Sequence, residues 1–355
     1  MATVGVIIFH AKAAPSAGPL EGWVAAARGR LAERHRTGFE AAGASDARIV
    51  AGDPDGRSFG ARLRDVARAA EHGGIVVLGS GSMPLANAAD RRAFVEAAAA
   101  DGSRALTNNR YSADVVAIAR AGVLADVPDL ASDNALPRWL AEHRGYRVDE
   151  RPSWRLRIDI DDPLDLVLLA RAGQFYFGGD ATRTDVGRAE GALARVAEVS
   201  RDRAGEVVVA GRTSGTTLRW LERHAAARVR ALVEERGLRA SDPSAASASP
   251  VRRRPPASVL GALLDRDGPA ALGDTIARLG DAALIDTRVL LAHRLGADER
   301  RWPAMEDRFA SDLLLHERIA DGWLRELTRS AADAPVPIVL GGHTLVGPGI
   351  HLALG

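Results

Sequence analysis

Short apolar runs alternate with amphipathic segments of helical period from residue 4 to about residue 170. The apolar runs predict strands at residues 4–9, 47–51, 74–79, 104–107, 147–148 and 156–161. The segments between them predict helices at residues 20–42, 59–70, 91–100, 113–121 and 135–143. Because such alternation places successive strands parallel with helices on both faces, this half predicts an α/β fold, a three-layer α/β/α domain around a mostly parallel sheet.

The pattern changes after about residue 171 and becomes richer in helix. Helices are predicted at residues 184–200, 218–237, 259–264, 270–279 and 307–329, and strands at residues 206–210, 283–285 and 337–340. Residues 242–256 are small, polar and proline-bounded, which predicts a flexible loop. We therefore expect two domains, residues 1–171 and a helix-rich α/β domain at residues 172–355.

Composition excludes several classes of protein. The 355 residues carry a net charge of +1, so nucleic acid is not an expected partner. With no cysteine, the chain can form no disulfide, thiolate zinc site or cysteine nucleophile. No apolar run reaches the ~18 residues of a membrane helix, and the start lacks a basic signal region. We expect a cytoplasmic protein, and the heavy use of Ala, Arg and Gly suggests a bacterial source.

A cluster of acids follows the strand predicted at residues 156–161. Asp162 and Asp165 flank Pro163 at the start of a helix, where an N-cap and a first-turn acid have a purely local explanation. Asp159 and Asp161 alternate on one face at the carboxyl end of a strand, where ligands bind in open α/β sheets. The pair suits Mg²⁺, and the alternative is two solvated acids at a strand end.

Two loops that follow predicted strands could approach a phosphate. Residues 10–19 are mostly small and include Lys12, and the alternative is an ordinary loop, since no Walker or dinucleotide motif is present. In residues 79–85, Ser80 and Ser82 could hold a phosphate or a sugar, or the segment could be a tight turn before a helix. The spacing does not fit a nucleophile elbow, so Ser80 is not expected to be a nucleophile.

Two further loops of the first half carry polar side chains. Asn108, Asn109 and Arg110 follow a predicted strand and could read a base edge or hold phosphate. Asp133 and Asn134 could face a ligand, although capping of the next helix is the simpler interpretation.

One loop of the second half has similar character. Thr213 and Ser214 lie between a predicted strand and a helix start, where hydroxyls and backbone N–H groups could bind an anion. An ordinary N-capped helix start explains the same residues.

Three segments of the first half together resemble the nucleoside-triphosphate transferase superfamily and, within it, the molybdenum-cofactor and 2-phospholactate guanylyltransferases. They are RLAERH at residues 30–35, LGSGSMPL at 78–85 and DIDDPLDL at 159–166, and the resemblance covers residues 1–170. It implies a nucleotidyltransferase or GT-A-like fold. It also implies that the closing signature and an acid of the earlier turn bind Mg²⁺, while the first loop and a basic residue, here Lys12 and Arg30, grip the triphosphate.

The sequence departs from that family at three places. The first loop lacks the glycine-rich pattern and its arginine, Ser80 or Ser82 replaces the turn acid, and Arg30 stands where lysine is usual. Either another acid such as Asp114 or Asp133 completes the metal site, or the domain binds a nucleotide-like ligand without catalysing a reaction.

The leading hypothesis is a nucleotidyltransferase-like enzyme that joins an NTP to a small phosphorylated or carboxylated acceptor, with Mg²⁺ and release of pyrophosphate. Asp161 and Asp159 would hold the metal. Phosphates would be steadied by Lys12, Arg28 or Arg30, and the base or acceptor pocket would be lined by Ser80, Ser82, Asn108 and Asn109. The alternatives are a binding protein without catalysis and a GT-A glycosyltransferase. The second domain would close over the acceptor or form a homodimer.

Overall fold

The computed structural model describes residues 3–52, 56–68, 73–174, 183–236 and 254–355. Within these ranges the chain divides into two compact units. The first unit comprises residues 3–16 and 25–160, and the second comprises residues 17–24 and 161–355. Most of the loop predicted at residues 242–256 lies outside the described residues, which resume at 254.

A six-stranded sheet organises the first unit. Its strands are β1 (Val4–Ala11), β2 (Asp46–Gly52), β3 (Gly74–Gly79), β4 (Arg104–Thr107), β5 (Val115–Ala119) and β6 (Arg147–Glu150). They lie in the order β2-β1-β3-β5-β4-β6, and only β5 runs antiparallel to its neighbours. The helices are α1 (Pro19–Ala41), of which residues 19–24 belong to the second unit, α2 (Phe59–Arg68), α3 (Ala88–Ala99) and α4 (Leu136–Arg144).

Both faces of this sheet are covered. Successive residues of β1 point to opposite faces, so Ile8 and Ile7 fall in separate hydrophobic clusters. The cluster around Ile8 contains Phe39 of α1 and Phe94 of α3, and the cluster around Ile7 contains Leu63 of α2. The mixed α/β class and the mostly parallel, three-layer arrangement predicted from the alternation are confirmed.

The sequence-based assignment of residues 113–121 to a helix is wrong. Residues Val115–Ala119 form the strand β5, in which every residue is buried between β3 and β4. A strand buried on both faces shows no alternation of polar and apolar residues, and its flanking alanines imitate a helical segment.

The strand predicted at residues 156–161 is also wrong. Residues Trp154–Arg157 form a short 3-10 helix, and the chain then pairs locally with the turn after β3. The N–H of Met83 donates to the carbonyl of Ile158 at 3.1 Å, and the N–H of Ile160 donates to that of Gly81 at 3.0 Å. Asp159 therefore faces Ser82 in an isolated antiparallel bridge instead of ending a strand of the sheet.

The second unit contains an all-parallel sheet of four strands. They are β7 (Glu206–Gly211), β8 (Arg228–Val233), β9 (Ala282–Asp286) and β10 (Ile338–Gly341), in the order β10-β9-β7-β8. The helices are α5 (Pro163–Arg171), α6 (Arg183–Arg201), α7 (Gly215–His224), α8 (Val259–Asp267), α9 (Leu272–Ala277), α10 (Thr287–Leu295), α11 (Met305–Asp312), α12 (Gly322–Ala332), α13 (His343–Val346) and α14 (Ile350–Leu354).

Two long helices predicted in this half are shorter in the structure. The segment predicted as a helix at 218–237 is α7 as far as His224, and β8 follows within it. The segment predicted at 307–329 is divided into α11 and α12, with Leu314 between them at a φ of 61°. A left-handed residue ends an α-helix whatever the apolar period around it. Within the described residues, no helix combines the length and apolar character that a membrane crossing requires.

Candidate functional site

A cavity of about 420 Å³ lies in the first unit where β1, β2 and β3 end. Its lining includes the last residues of these strands, among them His10, together with Arg28, Arg57, Arg62, Asp65, Ser80 and Asp159. Ligands of open α/β sheets bind outside the carboxyl ends of the strands, and a volume of a few hundred Å³ suits a small molecule. We take this β1–β3 cavity as the candidate site.

The floor of the cavity is the turn that follows β3. The N–H of Ser80 donates to the carbonyl of Phe9 at 2.8 Å, which ties the turn to β1. Gly81 lies close to Asp159 and Arg28. A Cβ at this position would be 2.5 Å from Asp159 Oδ1 and 3.2 Å from Arg28 Nε. A glycine is therefore needed here because the carboxylate and the guanidinium occupy the space of a side chain.

His10 and Ser80 form a polar pair in the wall of the cavity. Nδ1 of His10 lies 3.0 Å from the Ser80 hydroxyl oxygen. Partial burial, together with the positive charges of Arg28 and Lys12, lowers the pKa of His10 below its usual value. The imidazole is accordingly neutral at neutral pH and can exchange a hydrogen bond with Ser80 without adding a charge.

A buried histidine, His35, is hydrogen-bonded to the same turn. Nε2 of His35 lies 2.7 Å from the carbonyl oxygen of Ser82, so that nitrogen carries the proton and donates. Burial lowers the pKa of His35 to about 3, which keeps the ring neutral. The hydroxyl of Ser82 donates to the carbonyl of Asp114 at 3.0 Å. Ser82 is therefore engaged in holding the turn and does not line the cavity.

Asn108 connects three parts of the first unit. Its amide nitrogen donates to Asp114 Oδ2 at 2.7 Å and to the carbonyl of Leu156 at 2.8 Å, while its amide oxygen accepts from the Asp114 N–H at 3.1 Å. The side chain is fully buried. The hydrogen bond to Leu156 holds the backbone of the segment that leads to Asp159. Asn108 therefore helps to position Asp159.

The other predicted polar residues of these two loops make hydrogen bonds within the first unit. The side-chain oxygen of Asn109 accepts the N–H two residues further on at 3.1 Å, and the N–H of Arg110 donates to Glu150 at 2.8 Å. Asp133 Oδ1 accepts the N–H of Asn134 at 3.0 Å. The structure brings none of these four predicted residues into the lining of the β1–β3 cavity.

The predicted basic residues fall in different places. Lys12 and Arg30 are both exposed and are absent from the cavity lining. Arg28 lines the cavity, and its Nε donates to the carbonyl of Ile160 at 2.5 Å. Arg57 and Arg62 also line it, and neither belongs to a motif that would identify it from the sequence.

The acidic cluster divides between the two units. Asp159 belongs to the first unit and lines the cavity. Asp161 begins the second unit, where its N–H donates to Asp165 Oδ2 at 2.7 Å. Asp162 caps α5 in a capping box with Asp165, so the local explanation of these two acids is confirmed.

The donor set of the cavity limits how a metal could be held. Among the described residues, no group of three or more histidine or acidic side chains is arranged to bind a metal ion. Mg²⁺ is commonly held by one or two carboxylates together with substrate phosphates. Of the two acids predicted to hold Mg²⁺, Asp159 lines the cavity and Asp161 does not.

The predicted anion site of the second unit is a capped helix start. Ser214 Oγ accepts the N–H of Thr217 at 3.1 Å, as an N-cap does. Thr213 is fully buried. The preceding Arg212 is committed to Asp286, to which its Nε and Nη2 donate at 2.6 and 3.0 Å.

A second cavity of the first unit lies at the other end of the sheet. Its volume is about 630 Å³, and its lining includes Ser103 and Tyr146, which precede β4 and β6. These are the amino ends of parallel strands, where ligand sites of this architecture are not expected.

Comparison with known proteins found a structural similarity to a nucleotidyl transferase and no matching family. The chain matches no protein-family model and no curated protein. A solved structure of a nucleotidyl transferase from Methanothermobacter thermautotroptrophicus is similar over 47% of this chain and 95% of its own, with 18% sequence identity and a TM-score of 0.34. A likeness of this size leaves the function to be argued from the residues of the cavity.

Proposed function

We propose that the first unit binds a nucleoside triphosphate in the β1–β3 cavity and is a nucleotidyltransferase-like enzyme. The observation that supports this best is the placement of Arg28, Asp159 and the Ser80-Gly81 turn together at the carboxyl ends of three parallel strands. A guanidinium suits phosphate oxygens, and a closely approached glycine turn leaves room for a ligand.

The proposed reaction transfers the nucleotidyl group to a small acceptor that carries a phosphate or carboxylate. An acceptor oxygen forms a bond to the α-phosphorus while the bond to the leaving pyrophosphate breaks. An anionic acceptor needs no base, so catalysis consists of alignment and charge neutralisation. Asp159 would hold Mg²⁺ against the phosphates, and the metal, when bound, would neutralise charge on the transferring group.

Release of pyrophosphate tests the proposal. We expect one NTP to yield pyrophosphate in the presence of Mg²⁺ and a suitable phosphorylated or carboxylated acceptor. Asp159→Asn should lower that rate by about 10²-fold, as expected for loss of a group that stabilises transition-state charge. Asp126→Asn is the matched control, because this acid pairs with Arg144 at the other end of the sheet.

The wild-type chain and the two variants should have equal melting temperatures within about 2 °C if only the chemistry has changed. Equal pyrophosphate release by the wild type and Asp159→Asn would refute the assigned role of Asp159. Asp161→Asn, measured alongside, would show whether the neighbouring acid contributes.

A second candidate is a nucleotide-binding protein without catalysis on the same fold. Ser80 or Ser82 stands where the superfamily that the sequence resembles has an acid, and Ser82, which faces Asp159 across the local bridge, donates its hydroxyl to the carbonyl of Asp114. Nucleotide binding that is unchanged by Mg²⁺, together with the absence of pyrophosphate release, would favour this candidate.

A further inference from the structure

The start of α1 is one place where an anion would be expected to bind. The N–H groups at a helix start carry partial positive charge and point outward. In the second unit, however, Glu306 accepts the N–H of Leu20 through Oε1 and that of Glu21 through Oε2, each at 3.1 Å. Gly18 leaves no room either, since a Cβ there would lie 2.3 Å from the Glu306 carboxyl carbon. A carboxylate of the protein thus already occupies this helix terminus.

The basic residues that the family resemblance associates with phosphate binding are also poorly placed to contact a ligand in the cavity. Lys12 and Arg30 are exposed and do not line the β1–β3 cavity. The cations that do line it are Arg28, Arg57 and Arg62. Two of the three come from the connection between β2 and α2 and from α2 itself.

The charges in the cavity wall favour an anionic ligand. The lining contains three arginines and two aspartates, Asp65 and Asp159. Asp65 is about half exposed and pairs with Arg57 at 2.5 Å, which lowers the pKa of Asp65. Because an exposed ion pair contributes little to stability, Arg57 can turn to a phosphate at small cost. Arginine binds phosphate through two parallel N–H groups, and lysine cannot replace that geometry.

We propose that Arg57 and Arg62, together with Arg28, hold the oligophosphate of the bound nucleotide. This inference rests on the proposed function, and it assigns the phosphate contacts to the β2–α2 segment and not to the first loop. It also predicts which part of the ligand each arginine binds. The two arginines of the β2–α2 segment contribute to the affinity for phosphates and not to the affinity for the nucleoside.

The test compares a nucleoside triphosphate with its parent nucleoside. Calorimetric dissociation constants are measured for both ligands with the full-length wild type, Arg57→Gln and Arg62→Gln. Each variant should weaken triphosphate binding by about tenfold or more, the usual effect of losing a charge-assisted hydrogen bond, and should leave nucleoside binding unchanged. Arg48→Gln is the matched control, because Arg48 is an exposed arginine of β2 that pairs with Asp46 and does not line the cavity.

The opposite pattern would overturn the inference. If Arg57→Gln and Arg62→Gln bind the triphosphate like the wild type while Lys12→Gln or Arg30→Gln weakens it, the phosphates lie at the first loop. Melting temperatures within about 2 °C of the wild type would show that each variant is folded.

Inorganic tripolyphosphate separates failure of this inference from failure of the proposed function. If the wild type binds no nucleotide but binds tripolyphosphate in a manner that depends on Arg57 and Arg62, the arginine site stands and the nucleotide proposal falls. If it binds neither ligand, both are refuted.

Discussion

His35 offers a quantitative test of how the turn under the cavity is built. Its ring is buried at 0% exposure and donates to the Ser82 carbonyl at 2.7 Å. Burial lowers its pKa from 6.5 to about 3 in the folded protein. The unfolded chain therefore binds a proton below pH 6.5 that the folded chain refuses, and stability decreases as the pH falls from there towards pH 3.

The size of the effect follows from the pKa difference. Well below pH 6.5 each pH unit costs about 1.4 kcal/mol, and because the unfolded His35 is already half protonated at pH 6.5, acidification from pH 6.5 to 4.5 should remove about 2.3 kcal/mol through His35 alone. His35→Gln keeps a donor near the position of Nε2 but has no proton to take up. The free energy of unfolding of both proteins is measured in urea across this range. As the pH falls, the wild type should lose more stability than the variant.

The contributions of all other titrating groups to the pH dependence are the same in the two proteins, so they cancel when the two free energies of unfolding are subtracted. A variant and a wild type that lose stability in parallel between pH 6.5 and 4.5 would show that His35 takes up a proton in the folded state, and the assigned burial of a neutral ring would be wrong.

Three further substitutions test other parts of the structure. Asn108→Ala should lower the free energy of unfolding by about 2–4 kcal/mol in urea titrations, because it leaves buried partners without their hydrogen bonds. Arg288→Met should cost about 3–5 kcal/mol by the same measurement, since Arg288 donates to buried Asp312 at 2.6 Å and its removal leaves that charge uncompensated. Gly81→Ala should weaken nucleotide binding by about tenfold or more in calorimetry, because the new Cβ would displace Asp159 Oδ1 from 2.5 Å away.

The sequence was informative where a segment's own pattern decides its structure. Asp162 caps α5 as predicted, because a capping box depends on neighbouring residues only. The β5 segment was misassigned because its partners β3 and β4 make it a strand, and they come from elsewhere in the chain.

The site was harder to predict than the fold for the same reason. Asp159 could be proposed from its position after an apolar segment, although it is held by a local bridge and not by the sheet. Arg57 and Arg62 belong to no motif, so only the fold shows that they line the cavity with Arg28. Asn108 resembles a ligand-binding residue in the sequence because its hydrogen bonds to Asp114 and Leu156 cannot be predicted from the residues beside it.

The most direct measurement is a thermal-shift comparison of the wild type and Asp159→Asn with each NTP and with NDP-sugars, with and without Mg²⁺. A ligand held at about 100 times its dissociation constant should stabilise the folded protein by about 2.7 kcal/mol, which is visible as a raised melting temperature. Binding of an NTP in the β1–β3 cavity predicts a shift with one NTP that grows with Mg²⁺ in the wild type and loses this Mg²⁺ dependence in Asp159→Asn. The absence of a shift with every NTP, or a shift with an NDP-sugar alone, would contradict the proposed function.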